Sequence, residues 1–261
     1  MLVETRCGRL FVDERGAGPP LVLWHSLLCD SGMWAGQVDA FSDRFRVVTI
    51  DAPGHGRSAP TTRPYTMDDC VGAAGEVLDA LSIERCRWVG LSWGGMVGMR
   101  LALRSPERVE KLGLLDTNAD AETKEKLPSY RVMAFVARRF GALPLLLDRI
   151  EPLFFSPATR RERPEIVRQF RERLAAMDRV SLGHAVDAVM FHRTDIRAEL
   201  HRIAAPTLVV CGEDDVATPL SRSVDIQSRI KGAKLVRIPN AGHLSAWEQP
   251  GVVNAALAAF L

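Results

Sequence analysis

Charge of one sign is missing from this chain: 34 Lys and Arg stand against 32 Asp and Glu, a net charge of +2. No electrostatic case therefore exists for a nucleic-acid or membrane partner. Long apolar runs are missing as well, and nothing approaches the roughly 18–20 residues that a membrane-spanning helix requires. The opening MLVETRCGRLFVDERG is charged throughout and has no apolar core, so no secretory leader is expected. Cysteines are few; Cys7, Cys29, Cys70, Cys86 and Cys211 are scattered, odd in number and never spaced Cys-x-x-Cys. Such a set predicts reduced thiols in a cytoplasmic protein, without a disulfide framework or a structural zinc. Internal repeats and low-complexity segments are lacking too. What remains is ordinary for a globular chain, 47% hydrophobic and 25% charged, and 261 residues suffice for one α/β domain carrying an insertion.

Short apolar, β-branched runs alternate with helical patterns over the first part of the chain. PPLVLWH (19–25), FRVVTID (45–51), RCRWVGL (85–91) and VEKLGLLD (109–116) read as strands. SGMWAGQVDAF, TMDDCVGAAGEVLDAL and SWGGMVGMRLALRSP between them place apolar residues at helical spacing, which predicts βαβ units and a parallel sheet. The first 16 residues read instead as an antiparallel hairpin turning near Cys7–Gly8. From 119 to 202 no strand pattern occurs; the text is helical, rich in arginine and broken by prolines at 128, 144, 152, 157 and 164. APTLVVCGEDD and AKLVRIPNAGH then restore the strand rhythm, and EQPGVVNAALAAFL supplies a closing helix. One α/β core, 1–118 with 203–261, interrupted by a helical insertion at 119–202, accounts for this order. The insertion's arginines read as a solvated helix face.

Ser92 lies at a junction of strand and helix, in VGLSWGGMVG. A turn tight enough to lift a side chain above the sheet brings the residues two before and two after it nearly into contact. Small residues are required there, and they are Gly90 and Gly94; Gly95 then lets the helix approach the sheet. This is the Gly-x-Ser-x-Gly arrangement of a nucleophile elbow. Its hydroxyl needs a base, and the base an orienting acid. On such a sheet the chain order is serine, acid, histidine, and VVCGEDDVATP and IPNAGHLSAWEQP supply the last two just past late strands. His243 is the candidate base. Asp215 is the candidate acid, with Asp214 as a turn or capping residue and Asp116, at the end of its own strand, as the fallback. Backbone N–H groups of Trp93, after the nucleophile, and of Leu27, in the loop after LVLWH, are the candidate oxyanion donors.

LVLWHSLLCDSGMW, DAPGHGRSAP, VGLSWGGMVG, GEDDVATP and NAGHLSAWEQP together resemble the α/β-hydrolase superfamily over essentially the whole chain. The resemblance implies an α/β fold with a mostly parallel eight-stranded sheet flanked by helices. It also implies a helical lid inserted after strand six and no metal or organic cofactor, and it makes DAPGHGRS a structural turn, so that His55 is not catalytic. Within the superfamily the chain is most similar to 3-oxoadipate enol-lactonases, through Ser26–Leu27 with Trp34, the run from Gly90 to Thr117, and GEDDVATP. It departs from them at His25 and Leu28, where the enol-lactonase pattern is closer to Asn-Ser-Leu-Gly, and at Trp93, where Met is more common.

The expected activity is hydrolysis of a small carboxylic ester or lactone through an acyl-enzyme on Ser92. His25 and Ser26 in the loop, and Phe135 and Arg138 in the insertion, are the candidate substrate contacts. Met133, Phe140, Phe154 and Phe155 are further apolar candidates for the pocket or for packing within the insertion. The same three residues also serve carbon–carbon bond hydrolysis, thioester cleavage or perhydrolysis, and a low-turnover ligand-binding or signalling homologue is the rival of a different class. An aspartate, not a serine, stands at the elbow of epoxide and haloalkane hydrolases.

Overall fold

The computed structural model describes every residue of the chain except Ala142. Eight strands form one sheet: β1 (Leu2–Thr5), β2 (Gly8–Arg15), β3 (Pro20–Trp24), β4 (Arg46–Ile50), β5 (Cys86–Leu91), β6 (Val109–Leu115), β7 (Thr207–Gly212) and β8 (Lys234–Ile238). Their spatial order is β1-β2-β4-β3-β5-β6-β7-β8. β1 and β2 pair antiparallel as the expected hairpin, with Thr5 opposite Gly8, and every pairing from β4 to β8 is parallel. β3, β5, β6 and β7 read as continuous apolar runs because helices cover both of their faces.

Helices α1 (Ala35–Phe41), α2 (Met67–Ala80), α3 (Trp93–Arg104), α9 (Leu220–Arg229), α10 (Ser245–Glu248) and α11 (Pro250–Phe260) flank the sheet. Thr66 caps α2 in a reciprocal box with Asp69, which fixes where that helix begins. Between β6 and β7 the described residues hold no strand but α4 (Leu127–Phe140), α5 (Pro144–Phe154), α6 (Pro157–Glu162), α7 (Pro164–Ala176) and α8 (Arg179–Val186). Four of the prolines read as punctuation stand in the first turn of α4, α5, α6 and α7, where the missing N–H is not needed. Pro152 alone lies inside a helix.

β3 is the point where chain order reverses: the chain steps to β4 on one side, then returns to β5 on the other. In open α/β sheets a crevice forms beyond the carboxyl ends of the strands at such a point. The loops after β3, β5, β6, β7 and β8 all emerge on that edge, so residues far apart in sequence are gathered there.

Close approach at this edge explains the glycines. A Cβ on Gly90 would overlap the Gly94 backbone, one on Gly94 would overlap the Trp24 carbonyl of β3, and one on Gly95 would lie 2.7 Å from the Thr117 side chain. Gly94→Ala is therefore expected to cost about 3 kcal/mol or more, since backbone and not a movable side chain blocks the methyl. Gly75→Ala in α2, where a Cβ meets nothing within 4 Å, is the control, expected to gain up to about 1 kcal/mol. Urea midpoints of the two variants check the contrast.

Candidate active site

Ser92 joins β5 to α3 with φ 52° and ψ −108°. A non-glycine residue there is strained by about 1–3 kcal/mol, and the surroundings must hold it. They do so through the Ser92 N–H, donated to Leu115 O at 2.8 Å, and the Ser92 carbonyl, which accepts from Thr117 Oγ1 at 2.7 Å and Met96 N at 3.0 Å. The side chain stands over the amino end of α3, where developing negative charge is favoured. It faces a cavity whose wall also includes His243.

The loop after β7 carries Asp215 and the loop after β8 carries His243, both buried. His243 Nδ1 lies 3.0 Å from Asp215 Oδ2. The carboxylate also accepts from Thr218 Oγ1 at 2.7 Å on that oxygen, and from the N–H groups of Ala217 and Thr218, each at 2.9 Å, on the other. All these partners are donors, so the ring proton sits on Nδ1 and Nε2 is the ring's acceptor. No hydrogen bond joins Ser92 to the ring among the described residues. Such contacts are commonly loose in unliganded enzymes and tighten around the substrate.

Burial works against a charged His243 ring most strongly, but the charge and hydrogen bond of Asp215, with Asp116 and Glu248 further off, outweigh it and raise the pKa above 6.5. A protonated ring accepts no proton. If His243 acts as a base, kcat/KM for an activated ester should rise with pH through an apparent pKa above 6.5 and then level off. A pH–rate profile checks this, and a plateau already reached at pH 5.5 would contradict it.

Asp214 is exposed, and of the pair only Asp215 reaches the His243 ring among the described residues. Asp116, the fallback, is wholly buried and has other partners: Gly212 N at 2.8 Å, Ser245 N at 3.1 Å and Ser245 Oγ at 2.5 Å. It ties the ends of β6 and β7 to α10. Burial first, then the neighbouring Asp215 charge, push its carboxyl well above the ordinary range. Asp116, Cys211 and Asp215 offer atoms within 4.8 Å of one another. Both carboxylates are already engaged by N–H and O–H donors, and burial pushes the Cys211 thiol up to about 12, so the donor set suits hydrogen bonds better than a cation.

Glu248 was not singled out from the sequence. Its buried carboxylate accepts from Gly242 N at 2.8 Å and Leu244 N at 3.3 Å, the two neighbours of His243, and from Ser156 N at 2.8 Å. One side chain thus fixes the histidine loop and pins the end of α5 to it. Phe154 of α5 meets the His243 ring edge-on, with centroids 5.3 Å apart.

The loop after β3 is held by two histidines. His25 Nδ1 faces Ser26 O at 2.7 Å and its Nε2 accepts from Ala52 N at 2.8 Å. His55 Nδ1 faces Pro53 O at 3.0 Å and its Nε2 accepts from Leu28 N at 3.4 Å. Both rings are consequently neutral with the proton on Nδ1, and burial lowers both pKa values, that of His55 to about 3. Leu28 takes φ 66°, a conformation in which glycine would be unstrained. Among the described residues the N–H groups of Leu27 and Trp93 have no hydrogen-bond partner. The Trp93 indole is buried, stacked on Tyr65 at 6.4 Å and edge-on to His55 at 5.2 Å.

The cavity brings together Ser26, Leu27, Ser92 and His243, with Met133 and Phe154 from the helical segment. It does not bring in the other expected contacts. Both ring nitrogens of His25 are engaged behind the wall. Phe135 is 65% exposed and Phe140 54%, both on the outer side of α4, while Phe155 packs inward against Phe170. Arg138 donates to Gly183 O at 3.0 Å and to Asp187 Oδ1 at 2.5 Å, on the outer surface. Helical periodicity shows that α4 has two faces but not which of them meets the core.

Residues 19–250 match the alpha/beta hydrolase fold family, and the chain belongs to it. Related to the enol-lactonases, it is 29% identical over 243 residues to a 3-oxoadipate enol-lactonase of Acinetobacter baylyi, covering 93% of this chain and 88% of the relative. It is also 29% identical over 239 residues to a pimeloyl-[acyl-carrier protein] methyl ester esterase of Nitrosomonas europaea, covering 90% and 92%. The crystal structure of an enol-lactonase from Burkholderia xenovorans superposes with a TM-score of 0.91 at 30% identity, covering 100% of this chain and 99% of that one. Among the described residues no helix is long and apolar enough to cross a membrane.

Proposed function

We propose that the protein is a serine hydrolase of small carboxylic esters or lactones. Ser92 attacks the acyl carbon as its proton passes to His243 Nε2, and Asp215 holds the ring and balances the imidazolium. The N–H groups of Leu27 and Trp93 receive the tetrahedral oxyanion, each worth about 3–4 kcal/mol of barrier. His243 then gives its proton to the departing alcohol oxygen, leaving an ester on Ser92. Water enters, loses a proton to His243 and attacks that ester; the acid departs and the proton returns to Ser92. With a lactone the alcohol stays tethered to the acyl group, so ring opening yields one product.

One observation carries this reading: a strained serine shares a cavity with a histidine whose other nitrogen is committed to a buried carboxylate. Names of the relatives support ester or lactone chemistry as the class. In this reading the helical segment 119–202 serves as a lid over the core formed by 1–118 and 203–261. The five cysteines are unpaired and buried, which supports a reducing compartment such as the cytoplasm.

A fluorophosphonate probe tests the proposal. One equivalent should attach at Ser92, located by peptide mass, with loss of ester turnover in proportion to labelling. Labelling elsewhere, or full turnover after labelling, would overturn it.

A further inference from the structure

Away from Ser92 and His243 the cavity wall is built largely of Met133, Leu146, Ile150, Leu153, Val189 and Met190. The other charged side chains on it, among the described residues, are Glu122 and Arg193, and these are spent on each other and on the backbone. Arg193 donates from Nη2 to Glu122 Oε2 at 3.1 Å, from Nε to Asp120 O at 2.9 Å and from Nη1 to Val189 O at 2.5 Å. Glu122 Oε1 accepts from Thr123 N at 3.0 Å. The pair is almost sealed, with side chains 2% and 9% exposed. Residues Asp187–Phe191 form a π-turn, closed by His192 N on Asp187 O at 2.9 Å, which carries Val189 and Met190 on the wall. With its charge balanced by Glu122 and four of its five N–H donors engaged, the fourth on Met190 Sδ at 3.9 Å, this guanidinium gives an incoming anion no unpaired positive charge to meet. A substrate carboxylate would lose its water and gain no free cation, a transfer that is strongly unfavourable.

Among the described residues, two buried neutral polar atoms on the same wall have no partner. Asn118, 6% exposed, makes no side-chain hydrogen bond, and its Oδ1 is buried. Ser26 Oγ, on a fully buried residue, is likewise unbonded. Thr117 Oγ1, bonded to Ser92 O at 2.7 Å, fixes Asn118 one residue from the elbow. A buried amide without partners is costly unless something else satisfies it. An amide can turn either its acceptor or its donors toward a ligand.

Building on the proposed hydrolase reading, we infer that the site takes uncharged esters or lactones with an apolar acyl portion, and that Asn118 binds a neutral hydrogen-bonding substituent, such as a keto, hydroxyl or amide group, near the scissile carbonyl. The pocket rejects the same molecule bearing a free carboxylate.

Matched substrates test this: an alkyl-substituted lactone and its ω-carboxylate counterpart, and alkyl esters with and without a 3-oxo group. The neutral lactone should exceed the carboxylate by about 30-fold or more in kcat/KM at pH 7.5, chiefly through KM. Asn118→Leu should lose about 10-fold more on the 3-oxo ester than on the plain ester, again in KM. Equal or better turnover of the carboxylate would overturn the inference, as would an equal loss on both esters. The wild-type lactone comparison stands if the variant does not fold. Phosphonate labelling of Ser92 in the wild type separates the two levels. With labelling intact, a failed preference removes this inference alone; without labelling, the underlying hydrolase reading falls and this inference with it.

Discussion

Ser92→Ala should lower kcat/KM for p-nitrophenyl esters by about 10⁴-fold or more, because no other group in the site supplies the nucleophile of the proposed route. The fold should survive, since alanine keeps the N–H that makes the 2.8 Å bond to Leu115 O and the carbonyl that accepts from Thr117 Oγ1 and Met96 N, and none of these uses the Ser92 side chain. The backbone twist at φ 52° remains in that variant. Ser92→Gly would be equally inactive but relieved of strain, and should unfold at a higher urea concentration than Ser92→Ala, by about 1 kcal/mol. Wild-type turnover in either variant would end the acyl-enzyme proposal.

Asp215→Asn should lower kcat by about 10³–10⁴-fold with little change in fold. Asp215 is surrounded by donors: two N–H groups, the Thr218 hydroxyl and the His243 ring. An asparagine can accept on only one oxygen, so its NH2 must face either the ring with the Thr218 hydroxyl or the N–H groups of Ala217 and Thr218. Facing the ring, it forces the proton from Nδ1 to Nε2, and the histidine would no longer offer an acceptor to serine. With the carboxylate charge gone, the acid limb of the pH–rate profile should also move down from its position above 6.5, because Asp215 is the leading influence raising that pKa. Thr218→Val removes one donor and leaves the charge, so its loss should be far smaller, about tenfold. Steady-state rates from pH 5 to 9 for the three proteins separate charge from tautomer. Identical profiles for wild type and Asp215→Asn would show that Asp215 does not orient the base.

Much of this arrangement was legible from residue order. A parallel sheet sends its strand ends to one edge, so an elbow glycine pattern, an acid after β7 and a histidine after β8 had to meet there. Gly90 and Gly94 told of the tight turn because only backbone contact excludes a methyl at both. The bond from His243 to Asp215 follows from those placements, as distinct from the roles proposed for the two residues. Other features carry no local signature. Glu248 braces the histidine loop through backbone N–H groups, and any residue has those to offer. Arg193 and Glu122 find each other across 71 positions, and their sequence surroundings resemble any charged helix end. Phe135 and Arg138 were misplaced because the docking angle of α4, and not its period, chooses the buried side.

The pinned imidazoles behind the β3 loop carry a consequence for acid tolerance. As pH falls below 6.5 the disordered chain takes up protons at residues 25 and 55, while the native chain refuses them, at His55 until about pH 3. Native advantage therefore drains away across that interval. Protonation at Nε2 of His55 evicts the Leu28 amide and leaves a left-handed leucine without its anchor. Souring the medium would then slacken the segment beside Ser92 before the sheet itself gives way.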